Sequence, residues 1–272
     1  MSFIDYIKMI RFSYHITFVF TIAGALIFTE QLSYQLLISL LILYISFNVL
    51  LYGGLYTIND ITDLKSDAKH SLKRKRPLPS KKISVKSALT FSSILITLGL
   101  LSGFLYFGQI IFYFYLVFIG LNLLYSLFMR NIPYLDLIIN ALPHPLRFLM
   151  GVYVANSKVP YLFTLALFFL TLGLISLRRA VERDTQGWQE TRSTLKFYSN
   201  KMMLFIKSVA FLLILFLAVF DDSVPKLLYV FIVSLYAILV FGSYTSKRIR
   251  NVTRSLLPVS YTHLTLPTTP YV

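Results

Sequence analysis

Three of the eleven acidic residues in this chain fall between Asp60 and Asp67. At about 100° per helical residue, Asp60 and Asp67 project within about 20° of each other, with Asp63 and Asn59 on the adjacent strip of the same face. Oxygen donors without histidine or cysteine favour Mg²⁺ over zinc. Since Mg²⁺ is usually held by one or two carboxylates together with substrate phosphates, this face predicts a magnesium site for a diphosphate.

A run of basic residues follows this acidic face and ends in R-P-L-P-S. Lys73 and Arg76 lie in the run, and Arg76 is favoured as a phosphate ligand because its guanidinium fork matches phosphate oxygens. The structural alternative is a helix end whose acids pair with Lys65, Lys69 and the basic run. A positively charged loop at a membrane surface would have the same composition.

A second charged segment lies around position 180. It sets Arg178, Arg179, Arg183, Arg192 and Lys196 against Glu182, Asp184 and Glu190. A second magnesium site would require a carboxylate excess, so this balance favours contact with an anionic second substrate.

Arg147 stands in an apolar stretch that is interrupted by prolines, among them Pro143. A proline removes a backbone hydrogen bond that lipid cannot replace, so this segment should face protein or a cavity. Two interpretations remain open for Arg147, a snorkelling side chain on a kinked helix and a contact with an anion. Asp136, at the start of the same stretch, is either a helix-start acid or a substrate contact.

The composition shows what kind of protein must position these residues. The 272 residues are 57% apolar and only 14% charged, and cysteine is absent. A soluble domain carries about 25% charged residues, so the chain is predicted to be a membrane protein. The net charge of +15 is therefore interpreted against a membrane, with no nucleic-acid partner expected. The lack of cysteine excludes disulfide scaffolds, thiol catalysis and cysteine-bound metals.

Apolar windows long enough to cross a bilayer recur along the chain, since a spanning helix needs roughly 20 such residues. We predict eight spans: Ser13–Phe28, Tyr34–Leu55, Val85–Phe107, Gln109–Phe128, Leu135–Ala155, Tyr161–Leu177, Met203–Phe220 and Leu227–Tyr244. The continuous apolar runs exclude an alternating β-barrel pattern.

Lysine and arginine sort almost entirely to one side of these spans. Only Lys158 and Lys226 fall on the other side. By the positive-inside rule, both termini and the two long basic loops are expected in the cytoplasm. The acidic residues then lie at the cytoplasmic ends of spans, whereas a transporter would place them at mid-span.

The sequence N-D-I-T-D-L-K-S-D followed by K-R-K-R-P-L-P-S resembles the UbiA superfamily of intramembrane prenyltransferases. The first family signature, N-D-x-x-D-x-x-x-D, maps onto Asn59, Asp60, Asp63 and Asp67. The resemblance implies an all-α membrane bundle, usually of nine spans, around a central cavity that holds a polyprenyl chain. It also implies Mg²⁺ as cofactor, bound with the diphosphate on two Asp-rich cytoplasmic motifs.

The second motif departs from the common D-x-x-x-D pattern. The segments R-R-A-V-E and R-S-T-L-K-F-Y-S look more like the decaprenyl-phosphate phosphoribosyltransferase branch. This likeness implies substrate-binding roles for Arg178, Arg179, Glu182, Arg192 and Tyr198. The spacing between Glu182 and Arg192 differs slightly from that branch.

Two reactions fit these residues, and both displace pyrophosphate without a protein nucleophile. The favoured one transfers a phosphoribosyl group from phosphoribosyl pyrophosphate to a polyprenyl phosphate. The alternative transfers a prenyl group from a polyprenyl diphosphate to an aromatic acceptor, as 4-hydroxybenzoate polyprenyltransferases do. Both imply a lipid substrate and a second small molecule at a membrane, expected to be the bacterial inner membrane.

The chain from Val259 onward has no helical period and reads V-S-Y-T-H-L-T-L-P-T-T-P-Y-V. It resembles translated sequencing-adapter read-through. We therefore expect a transferase domain over residues 1–258 that lacks the last family helix, followed by a non-native tail over 259–272.

Overall fold

The computed structural model describes residues 2–29, 32–69, 73–183 and 193–245. Within these ranges all regular secondary structure is helical, which confirms the predicted all-α class. The helices are α1 Phe3–Leu26, α2 Tyr34–Thr62, α3 Leu64–Lys69, α4 Val85–Phe107, α5 Gln109–Leu127, α6 Leu135–Val154, α7 Tyr161–Arg183, α8 Asn200–Phe220 and α9 Lys226–Phe241.

Seven helices in the described part of the chain are long and apolar enough to cross a membrane: α1, α2 and α4 to α8. The eighth predicted span forms the shorter apolar helix α9. Four further helical residues, Gly242–Thr245, follow it directly. The described residues therefore contain seven helices of spanning length, where the sequence predicts eight spans. The predicted boundary at 258 and the tail beyond it lie outside the described residues.

Successive helices place the site residues at one end of the bundle. α2 runs toward this end, where the acidic residues lie, and α4 leaves it; α5 returns, and α6 begins beside the end of α7. Serine side chains fix the starts of three spans by accepting a backbone N–H: Ser33, Ser84 and Ser199 before α2, α4 and α8. Such N-caps satisfy one of the donors that a helix start leaves unpaired.

α1 changes its winding at Arg11, whose φ of 56° lies in the left-handed region. The residues before it are α-helical, whereas Phe12–Phe18 form a 3₁₀ segment. The turn directs the Arg11 side chain toward the end of α2, as the contacts below show.

α1 and α6 cross at two glycines. A Cβ on Gly151 would lie 1.9 Å from the Thr21 carbonyl oxygen, and one on Gly24 would lie 2.0 Å from the Phe148 carbonyl oxygen. Only residues without a side chain permit this approach of two backbones.

α6 is irregular at Leu142, where a turn separates Leu135–Ala141 from Pro143–Val154. This confirms the predicted irregularity of the fifth span, because Pro143 has no N–H to donate to the preceding turn. The second part of α6 carries Arg147 inward, and its side chain is 3% exposed.

Candidate active site at one end of the bundle

The acidic residues straddle the end of α2. The break at Asp63 is slight, since its N–H donates to the Asn59 carbonyl at 3.0 Å and the Asp67 N–H donates to the Asp63 carbonyl at 2.8 Å. These i to i−4 bonds keep the helical spacing across the junction with α3. Asp60 and Asp67 consequently share one face, as predicted from the sequence.

Three basic side chains surround Asp60 and Asp67. Arg76 Nη1 lies 3.3 Å from Asp60 Oδ1 and 2.7 Å from Asp67 Oδ2, so one guanidinium nitrogen contacts both carboxylates. Lys73 Nζ lies 3.2 Å from Asp67 Oδ1, and Arg11 pairs with Asp60. The carboxylates are 4% and 2% exposed, whereas the three cations retain 16–23% of their side-chain exposure.

These contacts combine both sequence interpretations of the acidic face. The acids do pair with the basic run, as the structural alternative expected, through Lys73 and Arg76. The same cations remain partly open to solvent and lie beside two buried carboxylates. An anion arriving from solvent would therefore meet the cations first.

The donor set fits Mg²⁺, although the three aspartates do not form one cluster. Among the described residues no group of three or more acidic, histidine or cysteine side chains is close enough to hold a metal. Asp60 and Asp67 converge on Arg76, whereas Asp63 lies half-buried at the helix end and makes a contact of its own. Two convergent carboxylates are sufficient protein ligands for a Mg²⁺ that also takes phosphate oxygens.

Arg11 is the member of this group that the sequence analysis did not select. In the sequence it is one of the many basic residues on the predicted cytoplasmic side, just before the first predicted span. Its pairing with Asp60 depends on the left-handed turn at Arg11, which local sequence does not specify. The one available signal was that it lies on the same side of the membrane as the acidic residues.

The segment around position 180 forms a buried ion-pair network. Arg179 Nε lies 2.8 Å from Asp136 Oδ2, and its Nη1 lies 2.6 Å from Glu182 Oε2. Arg178 Nε contacts the other Glu182 oxygen at 3.0 Å. Arg179, Glu182 and Asp136 are 3%, 1% and 0% exposed. Both Glu182 oxygens are thus held by arginines.

Tyr198 completes this network from the segment before α8. Its hydroxyl hydrogen-bonds the Asp136 carboxylate, and the Tyr134 N–H donates to the same hydroxyl at 3.3 Å. Burial raises the pKa of Tyr198, and the hydrogen bond to Asp136 raises that pKa further, so the phenol stays protonated. Arg183 fixes the backbone here by donating to the Tyr198 carbonyl at 2.6 Å.

The end of α5 joins the two groups. Ser126 Oγ donates to Asn59 Oδ1 at 2.6 Å, while Tyr125 next to it accepts from Arg179 Nη2 at 3.4 Å. The two charged segments, more than a hundred residues apart in sequence, therefore form one continuous polar region. The predicted site residue Arg192 lies outside the described residues.

Arg147 lies apart from this region, deeper in the bundle. Its guanidinium carbon is 4.5 Å from the ring centre of Tyr52, 5.4 Å from that of Phe47 and 5.3 Å from that of Phe118. Its Nη1 donates to the Pro143 carbonyl at 3.3 Å. The residue is turned into the protein interior, so the lipid-snorkelling interpretation does not describe its position.

Comparison with known proteins places these residues in a family context. Residues 17–261 match the UbiA prenyltransferase family. Nodulation protein NoeC of Azorhizobium caulinodans is 30% identical over 130 residues, covering 48% of this chain and 42% of NoeC. Digeranylgeranylglyceryl phosphate synthase of Methanocaldococcus jannaschii is 41% identical over 96 residues, covering 35% of this chain and 32% of that protein. The matched regions thus span less than half of these curated relatives.

The fold matches a solved structure over nearly its whole length. A UbiA homolog from Archaeoglobus fulgidus, determined with GPP and Mg²⁺, superimposes with a TM-score of 0.73. The match covers 93% of this chain and 95% of the homolog at 18% identity, so it concerns the fold.

Proposed function

This chain belongs to the UbiA prenyltransferase family of integral membrane transferases, and we propose that it transfers a phosphoribosyl group from phosphoribosyl pyrophosphate to a polyprenyl phosphate. In this reaction the bond between the ribose C1 and the pyrophosphate oxygen breaks, and pyrophosphate leaves with the electron pair. A phosphate oxygen of the lipid forms the new bond to C1, which gives a phosphodiester.

The observation that carries the choice of substrate is the state of Glu182. In family members that use a prenyl diphosphate, the resemblance implies that two Asp-rich motifs hold Mg²⁺. The second segment of such a protein should therefore provide several carboxylates. The described part of this segment contains a single carboxylate, Glu182, which is 1% exposed and bound at both oxygens by Arg178 and Arg179, whereas the acidic region holds two convergent carboxylates. Arg178 retains 30% of its side-chain exposure. The segment thus supports contact with an anion, as a phosphorylated sugar would make.

The acidic region is assigned the pyrophosphate. Asp60 and Asp67, which converge on Arg76, would hold Mg²⁺, and the ion would neutralise the charge that develops on the leaving pyrophosphate. Arg76, Lys73 and Arg11 contact the carboxylates and are partly exposed, and they are proposed to contact the phosphate oxygens of the substrate. Asn59, fixed by Ser126, would contact the substrate from the same face.

The second segment is assigned the ribose phosphate. Arg178 and Arg192 are proposed as its direct contacts. Arg179, Glu182 and Tyr198 would act as positioning residues. Arg179 and Tyr198 bond Asp136 on α6, and Glu182 holds Arg179, so the end of α7 is fixed against α6. Breaking a buried network of this kind is costly, since removing one charged member leaves its partner buried without a compensating charge.

The alternative function is prenyl transfer from a prenyl diphosphate to an aromatic acceptor. A prenyl donor is favoured by the fold match to a protein determined with GPP and Mg²⁺ and by the partial likeness to digeranylgeranylglyceryl phosphate synthase, although neither likeness concerns an aromatic acceptor. The acidic region would serve the same purpose in that reaction.

A substrate-pair assay separates the two. Membranes containing the chain are incubated with Mg²⁺ and either labelled phosphoribosyl pyrophosphate plus polyprenyl phosphate, or labelled prenyl diphosphate plus 4-hydroxybenzoate. We expect label in the lipid fraction from phosphoribosyl pyrophosphate and no prenylated aromatic product from the second pair. The reverse result would establish the alternative and overturn the proposal. Membranes without the chain provide the background.

A further inference from the structure

Arg147 is a buried cation that pairs with no carboxylate among the described residues. The rings of Phe47, Tyr52 and Phe118 surround it, and it donates a hydrogen bond to the Pro143 carbonyl. Its Nε is fully buried and has no hydrogen-bond partner. Rings attract a cation but do not neutralise it, and an uncompensated buried charge is strongly unfavourable. The arrangement is that of a site whose anion arrives as a ligand.

Two further buried polar atoms without a hydrogen-bond partner belong to residues linked to Phe47, one of the rings around Arg147. Asn48, next to Phe47, has its Oδ1 buried without a partner, and the same is true of His15 Nε2. The two residues are joined by a hydrogen bond from Asn48 Nδ2 to the His15 carbonyl at 3.5 Å. Phe47 and Asn48 belong to a π-helical segment of α2, Tyr44–Leu51, and such segments often occur at functional sites.

A path of tyrosine rings connects Arg147 with the acidic region. The Tyr52 ring beside Arg147 lies 5.4 Å from the Tyr56 ring, and the Arg11 guanidinium lies 5.7 Å from that second ring. Arg11 in turn pairs with Asp60. Tyr52 precedes Asp60 by eight residues, about 12 Å along a helix. Arg147 is thus about two turns deeper in the bundle than the carboxylates.

We propose that Arg147 binds the phosphate group of the lipid acceptor and holds it on the membrane side of the pyrophosphate site. This inference rests on the proposed function, which supplies a phosphorylated lipid as acceptor. A guanidinium fork suits phosphate oxygens. A free phosphate would lose its hydration among the apolar rings and has nothing to hold it there, whereas the chain of a polyprenyl phosphate already lies in the bilayer and keeps the phosphate group beside the site.

Ligand-induced stabilisation tests this inference without any turnover. The purified protein is heated alone, with polyprenyl phosphate, with polyprenol of the same length, and with inorganic phosphate. We expect polyprenyl phosphate to raise the unfolding midpoint well above the value with polyprenol, and inorganic phosphate to have little effect. In Arg147→Gln the difference between the two lipids should disappear, with affinity for polyprenyl phosphate reduced about tenfold or more. Arg147→Lys should retain part of it.

Arg179→Gln is the matched control, because Arg179 is a buried arginine with carboxylate partners. It should lower the unfolding midpoint of the ligand-free protein by leaving Asp136 and Glu182 unpaired, whereas Arg147→Gln should not lower it. An equal loss in both variants would assign Arg147 a structural role and overturn the inference. Undiminished lipid-phosphate binding by Arg147→Gln would also overturn it.

Two further outcomes separate the inference from its premises. If inorganic phosphate stabilised the protein as much as the lipid, through Arg147, the site would be one for free anions and the assignment to a lipid would be wrong. If Arg147 governed lipid-phosphate binding while the substrate-pair assay gave no phosphoribosyl transfer, the site would stand and the proposed function would fall.

Discussion

Basic side chains hold Asp60 and Asp67 together, and a substrate phosphate would bind the same side chains. Arg76 bridges the two carboxylates and is itself partly exposed. Two buried carboxylates that share one guanidinium repel each other when it leaves, so another cation must then take its place. Asp60 and Asp67 would hold Mg²⁺ at this position, and the ion would supply the positive charge that the two carboxylates require.

Replacing either carboxylate should therefore reduce turnover. We expect Asp60→Asn and Asp67→Asn each to lower the rate of transfer by about 100-fold or more, the scale seen when one group that stabilises developing charge is removed. Initial rates at increasing Mg²⁺ concentration measure this effect, and both variants should need more Mg²⁺ than the unchanged protein.

Asp222→Asn is the control for this experiment, because its carboxylate is 92% exposed and lies at the opposite end of the bundle. It should behave as the unchanged protein. A variant Asp60→Asn that kept full activity at ordinary Mg²⁺ concentrations would disprove the metal assignment.

At this scale the sequence predicted the residues better than their partners. The spacing of Asp60 and Asp67 fixes a common face because it follows from helical geometry alone. The pairing of Arg11 with Asp60 and of Arg179 with Asp136 depends on how distant helices pack. No local pattern contains that information, and the balance of charges around position 180 could not show that Arg179 is buried.

Among the helices, the crossing of α1 and α6 has the largest consequence for the site. α1 carries Arg11 and α6 carries Arg147, so the approach at Gly24 and Gly151 fixes the relative position of the two arginines. The proline-induced irregularity of α6 was predictable from Pro143, since the ring chemistry is local. The close approach was not predictable, because a glycine in an apolar span has several possible purposes.

A methyl group on Gly151 should push α1 and α6 apart at this crossing and so reduce the stability of the fold. We expect Gly151→Ala to lower the thermal unfolding midpoint by roughly 2–10 °C, because overpacking against backbone costs about 1–3 kcal/mol. Its Cβ would meet the Thr21 carbonyl oxygen at 1.9 Å, and backbone cannot swing aside as a flexible side chain can.

Gly120→Ala is the matched comparison, since a Cβ there would have open space within 4 Å. Its midpoint should stay unchanged or rise slightly, because alanine favours a helix over glycine. If both substitutions had the same effect, the crossing would not depend on close backbone contact. Thermal unfolding followed by circular dichroism in detergent compares the two.

For the whole molecule, hydropathy indicated the membrane bundle, and the comparison with the family and the fold supports it. Seven of the eight predicted spans are helices of spanning length within the described residues, and the eighth forms the shorter helix α9. Hydropathy reports apolar length, whereas helix ends are set by caps and turns. The charge distribution leads to a separate prediction about orientation.

The orientation is proposed from the positive-inside rule, which puts the acidic region in the cytoplasm with the soluble phosphorylated substrate. The chain has no cysteine, so single cysteines report sidedness without background. Lys82 lies at the acidic end before α4, whereas Lys158 and Asp222 lie at the other end, and all three are exposed. In intact cells a membrane-impermeant maleimide should label Lys158→Cys and Asp222→Cys.

Lys82→Cys should react only after the membrane is permeabilised. Its labelling in intact cells, with the other two protected, would put the acidic region outside and separate it from cytoplasmic phosphoribosyl pyrophosphate. Different accessibility of Lys158→Cys and Asp222→Cys would contradict the helix order itself, because α6 and α8 both end at that side. The labelling needs no substrate, so it tests on which side of the membrane the acidic region lies whatever the reaction is. It bears on the site itself because the basic residues that predict the orientation include those that surround the carboxylates.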